Sequence, residues 1–150
     1  MSTEDDVRQT SKHFYAGLNQ MANGDAGALT DSWSHNTTVT ALHPIGDREI
    51  GWDAVRTSFE QVAALSTNGK IELKNQLIRV KGDLAYEIGI EYGSFKLGSE
   101  HVHFDQRVTN IYRKEAGKWK MVHHHADLSQ PMIDALERVQ ENPNQYLEPF

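Results

Sequence analysis

Cysteine is absent from the chain, and so are basic clusters and long apolar runs. Without cysteine there is no disulfide framework, thiolate zinc site, iron–sulfur cluster or cysteine nucleophile. The 15 basic residues are outnumbered by 21 acidic ones, and a net charge of −6 argues against a nucleic-acid partner. No stretch of about 18 apolar residues occurs, so we expect no membrane span. The opening residues, MSTEDDVRQT, show no basic segment followed by an apolar run, so we expect a cytoplasmic protein without a secretory signal.

The length of 150 residues fits a single domain, residues 1–150, that can bury a hydrophobic core. Helical spacing of apolar residues comes first along the chain, and alternating spacing follows. The predicted elements are helix 4–23, a short helix near 28–33, strand 37–43, a third helix ended by Asn68 and Gly69, strands 71–80, 84–97, 101–114 and 119–128, and helix 131–141. This order predicts the α+β class, with N-terminal helices packed on a strongly curved antiparallel sheet that forms a cone-shaped pocket.

Side chains alternate between the two faces of a strand, so residue parity predicts which of them line the pocket. The even positions of strands 84–97 and 101–114 are largely apolar, and the odd positions are largely charged. If the residue numbers of two paired positions add to an even total, the even-numbered residues of both strands lie on the same face, which we expect to be the inner one. The polar groups predicted to face the pocket are Tyr86, Tyr92, Gln106, Asn110, Tyr112 and His124. On the last strand, the inward set is Val122, His124 and Ala126, unless a β-bulge exchanges the faces.

The outer face of this sheet is predicted to carry the charges, with Glu91 opposite Arg107 as a stabilising cross-strand pair. No Asp or Glu of the long strands then faces the pocket. Trp119 and Met121 are expected to add apolar area to the outer face. A sheet face that mixes ion pairs with Trp and Met is a reasonable homodimer surface, and the alternative is a solvated face.

The inward polar groups suggest proton-transfer chemistry. A histidine in an apolar pocket can act as a general base near neutral pH, and Tyr or Asn can polarise a carbonyl group. The predicted catalytic residues are therefore His124 as base, His43 as a second candidate base, and Tyr86 as a donor. The predicted ligand-binding residues are Tyr92, Gln106, Asn110, Tyr112, Trp33, Trp52 and Phe59. The alternative is that these polar groups satisfy one another inside a core.

Eight histidines also invite a metal hypothesis. His101 and His103 lie on one predicted strand, and the triplet 123–125 lies on the next. In an antiparallel hairpin these two groups are several residues apart, at over 3 Å of rise per residue. We therefore expect neither a metal site nor a cofactor.

The string RVTNIYRKEAGKWKMVHHHADLS, residues 107–129, resembles the closing hairpin of SnoaL-like proteins. The shared pattern is Arg-x-Thr, a Gly-x-Trp turn, and Val-His-x-His followed by a small residue. The matching positions are Arg107, Thr109, Gly117, Trp119, Val122, His123 and His125. The stretch ALHPIGDREIGWDAVRTSF, residues 41–59, resembles the first strand of that family and the Gly-Trp start of its third helix. SnoaL-like proteins belong to the superfamily of nuclear transport factor two, ketosteroid isomerase and the association domain of calcium/calmodulin-dependent protein kinase II.

The resemblance implies a curved sheet on helices, a deep pocket and usually a dimer. It implies a small-molecule-binding protein and, if it is an enzyme, a cofactor-independent isomerase or lyase acting on a small apolar, polyketide-like or steroid-like carbonyl compound. The alternative is a non-catalytic ligand-binding or dimeric assembly domain. The expected partners are a small-molecule ligand and a second copy bound through the outer sheet face, with no nucleic acid and no membrane. Ketosteroid isomerase and polyketide cyclases use an acidic base, which the predicted inner face lacks.

Overall fold

Six strands form one sheet, and helices pack against it, in a computed structural model that describes residues 3–141. In chain order the elements are α1 (Thr3–Met21), α2 (Leu29–Ser32), β1 (Thr40–Leu42), β2 (Arg48–Ile50), α3 (Trp52–Leu65), β3 (Ser66–Lys81), β4 (Leu84–Leu97), β5 (Glu100–Glu115), β6 (Lys118–Ala126) and α4 (Gln130–Glu141). Within this range, no helix combines the length and the apolar character needed to cross a membrane.

The strand order is β2-β1-β6-β5-β4-β3. The predicted α+β class, with N-terminal helices on a curved sheet, is confirmed, but the sheet is mixed rather than wholly antiparallel. β1 runs parallel to β6, so that Thr40 pairs with His123 and Leu42 with His125. The short strand β2 was not among the predicted elements.

The core lies between α1, α3 and the sheet. Val7, Phe14 and Leu18 are buried at helical spacing on one face of α1. The Phe14 ring meets the Trp33 ring edge-on at 6.4 Å, and Trp33 in turn meets Phe59 of α3 at 6.0 Å. This aromatic contact chain joins the first three helices beneath the sheet.

β3 is longer and more irregular than predicted. Asn68 and Gly69 were predicted to end the third helix, but α3 ends at Leu65 and both residues lie inside β3. The pairing of β3 with β4 shifts at Asn68, where φ is +54°, and again at Asn75, where φ is +57°. Beside the first shift, a Cβ on Gly93 would lie 1.9 Å from the carbonyl oxygen of Lys70. These irregularities bend the sheet, and they require glycine at position 93.

The hairpin between β4 and β5 overturns the predicted inner face of β4. Its turn has only two residues, so Leu97 pairs with Glu100 and every pair in the hairpin adds to an odd number. Even positions of β5 therefore share a face with odd positions of β4. Glu87 and Glu91 are buried, whereas Tyr86 is 46% exposed. The prediction that Tyr86 and Tyr92 share the inner face of β5 is wrong for this reason.

The predicted ion pair between Glu91 and Arg107 is also wrong. Arg107 pairs in register with Ile90, and its guanidinium donates to Asp127 at 2.7 Å. Glu91 instead lies opposite Gln106 on the inner face. The prediction that no Asp or Glu of the long strands faces inward is therefore wrong, because Glu87 and Glu91 are both buried on the inner face.

A register shift in β6 exchanges its faces part-way along the strand. His124 pairs with Asn110 and Ala126 with Val108, and both β6 residues are buried as predicted. Beyond the shift at Ile111 and Tyr112, the buried residues are Trp119 and Met121 rather than Val122. The prediction that Trp119 and Met121 lie on the outer face is therefore wrong.

Candidate functional site

A largely apolar cavity lies between the sheet and helices α1, α3 and α4. The space between its walls is about 590 Å³, including the part open to solvent. Apolar walls come from α1, α3, α4 and the strands, and they include Leu18, Met21, Phe59, Phe95, Phe104 and Met132. The polar lining residues are His43, Ser58, Glu91, Gln106 and His124. A space of this kind suits a small, mostly apolar molecule that meets a few polar groups.

Glu91 is the acidic group of this cavity, and it is 3% exposed. The Tyr15 hydroxyl donates to Oε2 at 2.8 Å, and the Gln106 amide donates to Oε1 at 3.2 Å. Burial raises the pKa of Glu91 from 4.5 to about 7, although both hydrogen bonds act to lower it. The carboxyl group therefore exchanges a proton in the neutral pH range, as a general acid or base must.

His124 lies beside Glu91 and is 2% exposed. Its Nδ1 lies 2.6 Å from Asn110 Oδ1, and its Nε2 lies 3.9 Å from Glu91 Oε2. Burial, together with the neighbouring histidines, holds the pKa of His124 well below 6.5, so the ring is neutral at neutral pH. The contact with Glu91 is therefore not an ion pair at that pH. Because Asn110 Oδ1 can only accept, the proton is on Nδ1 and Nε2 keeps its lone pair.

His43 is a second neutral histidine on the cavity wall. Its ring centroid lies 5.9 Å from that of His124. Burial lowers the pKa of His43 from 6.5 to about 4. The Ser58 hydroxyl donates to the Val55 carbonyl at 2.6 Å, so His43 Nε2 must donate its proton to Ser58 Oγ at 2.8 Å. His43 is therefore held by α3 rather than by the Glu91 side of the cavity.

A second carboxyl group, Glu87, lies outside the cavity lining and is 0% exposed. It accepts hydrogen bonds from Gln76 Nε2 at 2.6 Å, Tyr112 Oη at 2.7 Å and Asn110 Nδ2 at 2.9 Å. The Asn110 amide also donates to Tyr15 Oη at 3.1 Å. Glu87 thus orients Asn110, and Asn110 orients both Tyr15 and His124.

The structure brings four of the predicted site residues to the cavity wall: His124, His43, Gln106 and Phe59. Asn110 and Tyr112 are buried behind the wall, where they contact Glu87. Trp33 is packed in the core, and Trp52 stacks on His35 at 4.8 Å. Tyr86 lies on the exposed face of the sheet. The Tyr92 hydroxyl lies outside this cavity and donates to Glu72 Oε2 at 2.6 Å. The catalytic and binding roles assigned to all these residues stay predictions.

The sequence interpretation missed Glu91, Tyr15 and Ser58. A signal for Glu91 was present, because the turn at Gly98 and Ser99 is a two-residue hairpin signal that fixes the odd pairing sum. Tyr15 lies on the helix face that carries Phe14 and Leu18, and nothing in its spacing distinguishes it from a core residue. In the described range, residues 3–141, no cluster of three or more His, Asp or Glu side chains could hold a metal ion.

Comparison with known protein families gives a match to the SnoaL-like domain over residues 7–132. The chain belongs to the SnoaL-like domain family. The match runs from the buried face of α1 to the start of α4, and so it includes every residue of the cavity. Comparison with curated proteins gives no match.

Solved structures with this SnoaL-like fold include proteins of several described activities. A proposed dehydratase of the NTF2-like family from Streptomyces avermitilis is 20% identical, with a TM-score of 0.72 over 84% of this chain and 95% of that one. A proposed ketosteroid isomerase from Shewanella frigidimarina is 23% identical, with a TM-score of 0.64 over 79% and 92%. The association domain of the C. elegans kinase CaMKII is 18% identical, with a TM-score of 0.62 over 82% and 93%. Likeness at these identities shows that the fold is shared.

Proposed function

We propose that this SnoaL-like domain binds a small, largely apolar carbonyl compound and catalyses a cofactor-independent proton transfer on it, as an isomerase or lyase. The proposal is supported above all by the pairing of Glu91 and His124 at the polar end of the cavity. Their side chains differ in acidity, are both buried, and have the Glu91 Oε2 and His124 Nε2 atoms 3.9 Å apart. Two titratable groups with separated pKa values are the usual arrangement for acid–base catalysis.

The protonation states suggest a role for each group. His124 is neutral with a lone pair on Nε2, so it can remove a proton from the carbon next to the carbonyl group. Glu91 is partly protonated at neutral pH, so it can donate its proton to the carbonyl oxygen or to a leaving hydroxyl group. In an elimination, the leaving hydroxyl departs as water, and a proton passed from His124 to Glu91 restores both groups. The 3.9 Å separation is close enough for this return transfer through one intervening water or product atom. In an isomerisation, His124 instead returns its proton to another carbon of the enol, and Glu91 takes back the proton of the enol oxygen.

Exchange of carbon-bound protons in D₂O tests this proposal without knowledge of the natural substrate. A panel of small cyclic ketones, with and without hydroxyl groups, is incubated with the protein and followed by ¹H NMR. We expect His124→Phe and Glu91→Gln each to reduce the exchange rate roughly 100-fold, which is typical of a lost general acid or base. Glu72→Gln is the matched control, because Glu72 is a carboxyl group outside the cavity.

The pH dependence of the exchange rate separates the two roles. If Glu91 is the acid, the rate falls as pH rises through about 7, where Glu91 loses its proton. If Glu91 were the base, the rate would rise through the same pH. Absence of exchange for the whole panel, together with ligand binding in the cavity, would favour a non-catalytic binding protein instead.

A homodimer through the outer face of the sheet is the second part of the proposal. Leu77 of β3 pairs with Ile88 of β4, and Leu84 and Tyr86 lie on the same face of β4 as Ile88. These four side chains are 37–53% exposed. An apolar sheet face of this kind favours contact with a second copy, or assembly of the sort named for the CaMKII association domain. Light scattering on the eluted protein distinguishes monomer, dimer and larger rings.

A further inference from the structure

The polar end of the cavity presents more hydrogen-bond acceptors than donors, and Gln106 supplies the first of these acceptors. This side chain is 4% exposed, and its Oε1 is buried with no hydrogen-bond partner among residues 3–141. Its Nε2 donates to Glu91 Oε1, and Glu91 can only accept when it is ionised, so in that state the amide oxygen is the atom left over. Leaving a buried acceptor without a donor is unfavourable, and such atoms normally have a partner. The position calls for a donor supplied by a ligand.

The lone pair of His124 is fixed by a chain of hydrogen bonds that begins outside the cavity. The Arg8 guanidinium, which can only donate, bonds to Gln76 Oε1. The Gln76 amide must therefore turn its Nε2 towards Glu87, at 2.6 Å. Glu87 accepts this bond and a second one from Asn110 Nδ2, so Asn110 Oδ1 is left to accept from His124 Nδ1.

Each step in this chain has only one possible direction, because Arg8 has no acceptor and a carboxylate has no donor. The tautomer of His124 is therefore determined by residues that do not touch the cavity. Its Nε2 atom, 3.9 Å from Glu91 Oε2, is a second acceptor at the polar end of the cavity.

The remaining polar lining residues offer no free donor. The Ser58 proton is used by the Val55 carbonyl, and the His43 Nε2 proton is used by Ser58. Within residues 3–141, no Lys or Arg side chain lines the cavity. Above its pKa, the Glu91 carboxylate adds further acceptor capacity. A ligand that offers only acceptors, such as a plain ketone or a carboxylate ion, leaves these groups without partners.

We infer that the cavity selects a neutral ligand whose hydroxyl group donates its proton to Gln106 Oε1, which leaves the His124 Nε2 lone pair free for the proposed base role, while the apolar part of the ligand fills the rest of the cavity. This inference rests on the proposed function only in that the cavity is the ligand site, and it does not depend on turnover. It narrows the substrate class to hydroxylated apolar compounds. If turnover occurs, a hydroxyl group bound beside Glu91 is also placed to leave as water when Glu91 donates its proton.

Binding of a matched set of bicyclic compounds tests the inference. The probes are 1-indanol, which donates and accepts, 1-indanone, which only accepts, and indane, which does neither. Dissociation constants are measured by NMR titration at pH 8, where Glu91 is mainly ionised and therefore an acceptor. We expect 1-indanol to bind at least about tenfold more tightly than indane, because a hydrogen bond to a buried acceptor is gained, and 1-indanone to bind no better than indane.

Two variants locate the effect. Gln106→Met keeps the side-chain volume and removes the acceptor, so it should reduce the advantage of 1-indanol over indane several-fold. Gln9→Met on the exposed face of α1 is the matched control and should leave that advantage unchanged. In unmutated protein, the Nδ1-protonated tautomer of His124 should appear in two-dimensional ¹H–¹⁵N spectra of the ring nitrogens. Glu87→Leu should lower the population of this tautomer.

Equal binding of 1-indanol and indane would overturn the hydroxyl inference and leave the cavity as a ligand site. Tighter binding of 1-indanone than of 1-indanol would also overturn it, since it would show a donor at the polar end. Failure of all three compounds to bind would overturn both this inference and the cavity-based function. If the unmutated protein shows the expected binding order but exchanges no carbon-bound protons in any ketone of the panel, only the catalytic proposal is overturned.

Discussion

Replacement of Glu91 with glutamine should make the protein more stable at alkaline pH, which is unusual for a change at a buried site. The pKa of Glu91 is raised from 4.5 to about 7, so the folded state holds this proton more tightly than the unfolded state. Between these two pH values the folded state binds more protons, and the free energy of unfolding therefore falls as pH rises. The contribution of Glu91 is complete below about pH 4.5 and is lost above about pH 7.

The shift corresponds to roughly 3 kcal/mol over the whole window, of which about 2.5 kcal/mol lies between pH 5 and pH 8. Glutamine resembles the protonated acid in shape and does not ionise. It also keeps an oxygen that can accept from Tyr15. The variant and the parent protein should therefore have similar stability at pH 5, and the variant should be more stable by about 2.5 kcal/mol at pH 8.

Urea unfolding at the two pH values measures this difference directly. Contributions from the histidines occur in both proteins and cancel in the comparison. Glu72→Gln is the control, because a hydrogen bond from Tyr92 lowers the pKa of Glu72, and its effect should be small and opposite in sign. An advantage of Glu91→Gln that is equal at pH 5 and pH 8 would refute the burial argument for Glu91.

Three further outcomes can be measured on the same protein. Gly93→Ala should lower the free energy of unfolding by about 2 kcal/mol or more in urea, because its Cβ would meet the Lys70 carbonyl oxygen at 1.9 Å, and unchanged stability would contradict this. His43→Phe should reduce the loss of unfolding free energy as pH falls from 6.5 to about 4, because the lowered pKa of His43 makes the folded state bind fewer protons than the unfolded state there. Equal midpoints of acid unfolding for the variant and the parent protein would contradict a buried neutral ring. Ile88→Ser should shift the light-scattering mass from dimer towards monomer, whereas an unchanged mass would exclude the outer sheet face as the contact.

The sequence was sufficient for most of the fold because its elements have strong local signals. The strand at Leu84–Leu97 was predicted with its exact bounds, since Gly82 and Gly98 flank a long run of strand-forming residues. The end of the first helix was also predicted closely, because Asn23 and Gly24 stop its helical pattern. The parallel pairing of β1 with β6 could not be predicted, because it joins residues about 80 positions apart and leaves no local trace.

The site was predicted only in part, because it depends on pairing register. His124 and Gln106 were assigned to the correct face, since the β5 pattern is clear and the β6 pairing near Asn110 follows the expected sum. Glu91 was assigned to the wrong face by a single-residue error in the β4–β5 pairing sum. A one-residue change in register exchanges all the side chains of a strand between faces. The hydrophobic pattern of the first half of β4 also argued for the wrong face, since Glu87 lies inside there and Leu84, Tyr86 and Ile88 lie outside.

This inverted polarity of β4 has a consequence for how the protein folds. A chain that collapses by hydrophobicity alone would turn Leu84, Tyr86 and Ile88 towards the helices and leave both glutamates in water. The tight turn at Gly98 disfavours this misregistered state, as does the burial of Phe95 and Leu97 on the native inner face. Newly synthesised protein should therefore be most vulnerable to trapping in the interval before this hairpin has closed, and a second subunit that covers the outer face would relieve the frustration after folding.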